Sequence, residues 1–128
     1  MNITKLIIAG GRDFDDYNLL VQETKKFIEE HAIDTRHLTI VSGMAPNGAD
    51  QLGVRLAKEY NLPLDPHPAD WDTYGKPAGH IRNAEMAQIA THLLAFWDGK
   101  SPGTASMIEK AEKRNLEIEV IRYIKEKI

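Results

Sequence analysis

Cysteine is missing from this chain altogether, which excludes disulfides and thiolate metal sites. There is no surplus of positive charge either. Sixteen Lys and Arg stand against 19 Asp and Glu, a net charge of −3, so the molecule lacks the field that draws proteins to nucleic acid or anionic membranes, and any basic site is local. No long apolar run occurs; KLIIAG, residues 5–10, is far too short for a signal or transmembrane segment. The five histidines, at 31, 37, 67, 80 and 92, show none of the short paired spacings that zinc sites use. These absences predict a cytoplasmic protein with no membrane partner, no metal and no cofactor. What remains is core-forming material: 128 residues, 42% of them hydrophobic, enough for one domain over 1–128.

Apolar runs suited to strands recur as KLIIAG (5–10), HLTIVSG (37–43), a weaker PLDPHP (63–68), THLLAFW (91–97) and LEIEVIRY (116–123). Helical patterns separate them. Leu20, Thr24, Phe27, Ile28 and His31 repeat at three- and four-residue steps, as do Ala49, Leu52, Gly53, Leu56, Ala57 and Tyr60, the face a helix presents to a sheet. Two further amphipathic stretches follow, around 81–90 and 104–113. The alternation, with the first, second and fourth strands almost wholly apolar, predicts an α/β fold: a Rossmann-like three-layer sandwich with a mainly parallel sheet of about five strands. The end, IRYIKEKI, reads as a fraying last strand or a short helix.

In such sheets ligands bind outside the carboxyl ends of the strands, and eight of the nine glycines map to that edge. After the first strand, GGRDFDD offers Gly11, then Arg12 for a bidentate grip on phosphate, and Asp13 to orient it or accept a ribose hydroxyl; Asp15 or Asp16 is the expected helix cap. After the second, SGMAPNGADQ offers Ser42 and Gly43 for phosphate or ribose, with Asp50 open between ligand contact and cap. The segment HPADWDTYGKPAGHIRNAEM offers Asp70 and Trp71 to a nucleobase, although Trp71 fits equally well as a packing anchor. Arg82, placed near a helix start where the dipole disfavours a cation, calls for an anionic ligand or a carboxylate partner. In AFWDGKSPGTASM (95–107), GKS ends like a Walker A loop, but the required earlier glycine is replaced by Leu94. Gly103 and Thr104 still open a helix with free N–H groups. Ser101 and Pro102 suit its cap, and Asp98 could accept a sugar hydroxyl or serve glycosidic chemistry.

Taken in order, GGRDF, SGMAPNGAD, PADWDTYGKPAGHIRNAEM and AFWDGKSPGT resemble the YspA-like, YpsA-related branch of the SLOG superfamily, often found in bacteria and their phages. The resemblance implies a Rossmann-like domain that binds nucleotides or nucleotide-derived signals and assembles as a homo-oligomer. The chain is also similar to the LONELY GUY phosphoribohydrolases, which release a base from a nucleoside monophosphate. IRNAEMAQIATHLLAFWDGKSPGTASM puts Arg82 on that family's arginine and Gly103 and Thr104 on its phosphate-binding GT. It departs by placing Met107 where the family has glutamate, Asn83 where it has lysine, and GKSP where it has a double glycine. The DprA core is a third relative by fold, but the net acidity and the absence of a basic stripe interleaved with aromatics argue against single-stranded DNA as a partner.

These readings lead to a binder of a nucleoside monophosphate, an ADP-ribose-like molecule or a cyclic nucleotide signal. In it Gly11, Arg12, Ser42, Gly43, Arg82, Gly103 and Thr104 hold phosphate and sugar, and Asp70 and Trp71 contact the base. The alternative is an N-glycosidic hydrolase in which Asp98 or Asp13 stabilises the ribosyl cation and Arg82 the phosphate.

Overall fold

The structure is a computed structural model that describes residues 3–124. Five strands, β1 (Thr4–Gly10), β2 (Leu38–Ser42), β3 (Leu64–Pro66), β4 (His92–Trp97) and β5 (Glu117–Arg122), form one sheet in the order β3-β2-β1-β4-β5. Every pairing is parallel. The crossovers carry helices α1 (Tyr17–Glu30), α2 (Ala49–Glu59), α3 (Trp71–Tyr74), α4 (Ala78–Ile89) and α5 (Pro102–Lys113).

Successive side chains of a strand point to opposite faces, and in β1 and β4 both faces are apolar, so both must be covered. Leu6, Ile8, Leu94 and Phe96 pack with Leu20 and Phe27 of α1 and Ala49 and Leu56 of α2. Ile7, Ala9, Leu93 and Ala95 pack with Met86 and Ala87 of α4 and Met107 and Ala111 of α5. The result is the three-layer Rossmann-like arrangement expected. Asp16 caps α1, its side chain accepting the Leu19 N–H at 3.0 Å.

Two expectations need adjusting. The third strand shrinks to Leu64–Pro66 because its prolines remove ladder donors, although the His67 N–H still reaches the Ser42 carbonyl at 2.7 Å. The segment read as a long loop contains α3, and α4 starts at Ala78, directly after Pro77. The last strand runs to Arg122, and residues 125–128 of the ambiguous tail lie outside the described residues. Among the described residues no helix is long and apolar enough to cross a membrane.

The chain moves from β1 outward to β3 and then returns to the other side of β1 at β4. This reversal opens a crevice between the carboxyl ends of β1 and β4, the place where open parallel sheets bind ligands.

At the opposite rim, His92 lies edge-on to His31, ring centroids 5.5 Å apart, and to Phe27 at 5.7 Å. Burial, and then the neighbouring His31, hold the His92 pKa below the ordinary imidazole value, against a weaker opposing pull from Glu117. The neutral form is favoured in the folded state. As pH falls through about 6.5 the unfolded chain takes up more protons than the folded one, so stability declines with acidification. Thermal midpoints between about pH 7.5 and about pH 5.5 are therefore expected to fall further in the wild type than in His92→Gln; parallel falls would exclude His92 as the cause.

Candidate ligand-binding site at the carboxyl edge of the sheet

Three strand-to-helix turns and one turn of α4 meet at the crevice. The first turn is pinned at Gly11, whose N–H donates to the Phe96 carbonyl at 3.1 Å and whose carbonyl accepts from Phe14 and Ala49, each at 3.2 Å. This projects Arg12 and Asp13 at its tip. The Tyr123 hydroxyl donates to Asp13 Oδ1; burial and that carboxylate raise the phenol's pKa, so it remains the donor. Arg12 makes no hydrogen bond with any described residue and acts within the protein through its charge on Asp50.

Arg82 comes from the second turn of α4. Its Nη1 donates to the Gly43 carbonyl, and its Nε donates to Asn83 Oδ1 at 2.9 Å. Desolvation lowers its pKa, yet a guanidinium starts so high that the charge is kept. Asn83 is buried, 5% exposed, and its Nδ2 donates to the Gly103 carbonyl at 3.3 Å and to Ser106 Oγ at 3.4 Å. One amide thus fixes the arginine of α4 against the first turn of α5.

The β4–α5 turn is organised by Asp98, whose Oδ1 accepts from the Ser101 N–H at 2.7 Å and the Lys100 N–H at 2.8 Å. Those two donors hold its carboxyl below the usual range. Ser101 is the N-cap residue and Pro102 follows it, as anticipated, but the serine side chain makes no capping bond. The N–H groups of Gly103 and Thr104 therefore lie in a first turn where no intrahelical acceptor exists.

Asp50, in the first turn of α2, is only 7% exposed. Its Oδ2 accepts the Ala45 N–H at 3.1 Å. Burial raises its pKa, while the Ala45 N–H, Arg82 and Arg12 pull it back. A Cβ on Gly43 would lie 2.7 Å from Arg82 Nη1 and 2.9 Å from Asp50 Oδ2, so the glycine's missing side chain is the seat that brings this acid and base together.

These groups surround a hollow of about 500 Å³. It gathers Gly11, Arg12, Asp13, Arg82 and Asp98 from the residues singled out in the sequence, together with Gly103 and Thr104. Four others fall outside its lining. Ser42 is wholly buried; its hydroxyl donates to the Asp50 carbonyl at 3.3 Å and accepts the Met44 N–H at 3.1 Å, so it shapes the loop from behind. Gly43 supports Arg82 through its carbonyl. Asp70 caps α3, accepting the Thr73 N–H at 3.1 Å. Trp71 is 51% exposed and sits beyond the hollow's rim, where a Cβ on Gly79 would meet its Cη2 at 3.5 Å and Arg82 Nη2 at 3.9 Å. Sequence reasoning missed Asn83 and Met86 in the wall. The one available signal for Asn83 was an uncharged amide directly after a candidate site arginine.

Compared with known proteins, the family described as YspA, cpYpsA-related SLOG (YAcAr) matches residues 4–74, more than half of the chain. The Gene 61 protein of Mycobacterium phage D29 is 36% identical over 87 residues, covering 63% of this chain and 69% of the phage protein. No solved structure matches. The matched residues include Arg12, Gly43 and Asp50, while Arg82, Gly103 and Thr104 lie beyond the family match.

Proposed function

Because the chain belongs to the YspA, cpYpsA-related SLOG family, we propose that the hollow between β1 and β4 binds a nucleotide-derived ligand by its phosphate. The observation that carries this reading is the convergence on one hollow of two guanidinium groups, Arg12 and Arg82, with the free N–H groups that open α5. Charge-assisted bonds and a helix N-terminus both favour an anion there. The volume is within the range of small-ligand pockets. Gly11 leaves the room that the Tyr123 hydroxyl and Asp13 occupy, Thr104 adds a hydroxyl, and Asp13, held by Tyr123 at the other wall, takes a sugar hydroxyl. The exposed indole of Trp71, beside Arg82, covers the base from outside the hollow.

Binding without hydrolysis is supported by Met107, buried in the wall where the phosphoribohydrolases that the chain resembles carry glutamate, and by the engagement of the other two candidate acids, Asp98 by the Ser101 and Lys100 N–H groups and Asp13 by Tyr123. Thermal-shift titration with nucleoside monophosphates, ADP-ribose and cyclic dinucleotides tests the reading. A ligand at a hundred times its dissociation constant is expected to add about 2.7 kcal/mol of stability, and incubation with nucleoside monophosphates is expected to release no free base. Absence of any shift across the panel would remove the reading, and base release would replace it with the glycosidase.

A further inference from the structure

Asp50 is a carboxylate built into an anion-binding wall. It lines the hollow with Arg12 and Arg82, 7% exposed, and its Oδ2 is occupied by the Ala45 N–H. No described residue donates to its Oδ1. That oxygen is not sealed from solvent, so in the free protein water reaches it from the hollow that Asp50 lines, and nothing about capping α2 requires the carboxylate to reach so far. A ligand that displaces this water must replace its hydrogen bond, so the ligand group facing Asp50 is expected to be a donor.

We propose that Asp50 makes the hollow selective for the protonated phosphomonoester: its free oxygen accepts the P–O–H hydrogen of a terminal phosphate whose other oxygens are held by Arg12, Arg82 and the first turn of α5. The inference rests on the nucleotide reading above and narrows it. A monoester ionises a second time near pH 6, so around neutrality part of it carries the required proton. Sulfate and phosphodiesters carry none, and each would set a bare oxygen against a carboxylate in a poorly solvated wall. The ligand class is then a nucleotide ending in a phosphomonoester, in preference to a cyclic dinucleotide or a pyrophosphate-bridged molecule.

The experiment is calorimetric titration of the full chain with methyl phosphate and with inorganic sulfate near pH 6, in the wild type and in Asp50→Asn. Asparagine keeps an acceptor for the Ala45 N–H and can turn an N–H toward the hollow. Methyl phosphate is expected to bind the wild type at least about tenfold more tightly than sulfate, a difference the size of one charge-assisted hydrogen bond. Its affinity is expected to fall as pH rises above about 6. In Asp50→Asn the two anions are expected to bind within about threefold of each other, as is usual where no buried donor is left unpaired. Equal binding of the two anions by the wild type overturns the inference and leaves the nucleotide reading standing; the wild-type comparison holds even if the variant does not fold. A preference that survives in Asp50→Asn removes Asp50 from the role. Failure of both anions to bind the wild type removes the nucleotide reading, and this inference with it.

Discussion

Arg82→Ala is expected to weaken nucleotide binding by about a hundredfold or more, which corresponds to about 2.7 kcal/mol, while the protein still folds. Two losses add. The ligand's phosphate loses a charge-assisted donor, by itself worth about 1.5–3 kcal/mol. The wall also loses one of the two guanidinium groups that balance Asp50, so whatever negative charge Asp50 keeps faces the anion with less to offset it. The cost to the fold is smaller. The Gly43 carbonyl and Asn83 Oδ1 each lose a donor, but Arg82 itself lines the hollow, so the space it vacates joins the hollow and water can replace the guanidinium there. Arg82→Lys is not expected to rescue binding. A lysine offers a point charge and cannot serve Gly43 and Asn83 through a rigid fork while facing a phosphate. Calorimetric affinities, read beside denaturant midpoints, check this. Unchanged affinity in the alanine variant would place the phosphate elsewhere.

The fold was legible because its determinants are local. KLIIAG and THLLAFW are apolar on both faces, and only a parallel sheet covered on both sides buries such strands. The glycines marked the edge at which the hollow opens. Around the hollow, Arg12, Arg82, Gly103 and Thr104 were legible as candidates because a cation or a free N–H beside a strand end has few structural uses. Asp50 and Asn83 were not. Each is a polar side chain near a helix start, where a cap is the ordinary explanation, and only the packing of α4 against α5 and the seat at Gly43 show what each one touches. Asp70 and Trp71 read as base contacts because they are adjacent in an irregular stretch. A four-residue helix, too short for periodicity to reveal, turns Asp70 into its cap and leaves the indole on the rim.

Gly48→Ala is expected to destabilise the protein by about 3–5 kcal/mol, whereas Gly43→Ala is expected to cost about 1 kcal/mol or less and yet impair binding. The two glycines flank one loop, and the contrast follows from what an added Cβ would meet. Gly48 has φ +81 and ψ −152, a region essentially closed to any other residue. Its Cβ would also stand 2.2 Å from the Gly11 carbonyl oxygen and 2.5 Å from Arg12 Cα. Those are backbone atoms of the neighbouring turn, and Gly11 is bonded in turn to Phe14, Ala49 and Phe96, so nothing can move aside cheaply. Against a total stability of about 5–15 kcal/mol, the loss approaches unfolding. At Gly43 the obstructing atoms are the ends of Arg82 and Asp50; they can swing away and leave the sheet intact. Doing so breaks the bond from Arg82 to the Gly43 carbonyl and displaces the guanidinium from the hollow, so affinity is expected to fall at least about tenfold at nearly native stability. Urea midpoints paired with binding isotherms separate the two. If Gly43→Ala instead kept full affinity, the carbonyl bond would not be what aims Arg82, and Asn83 alone would have to hold it.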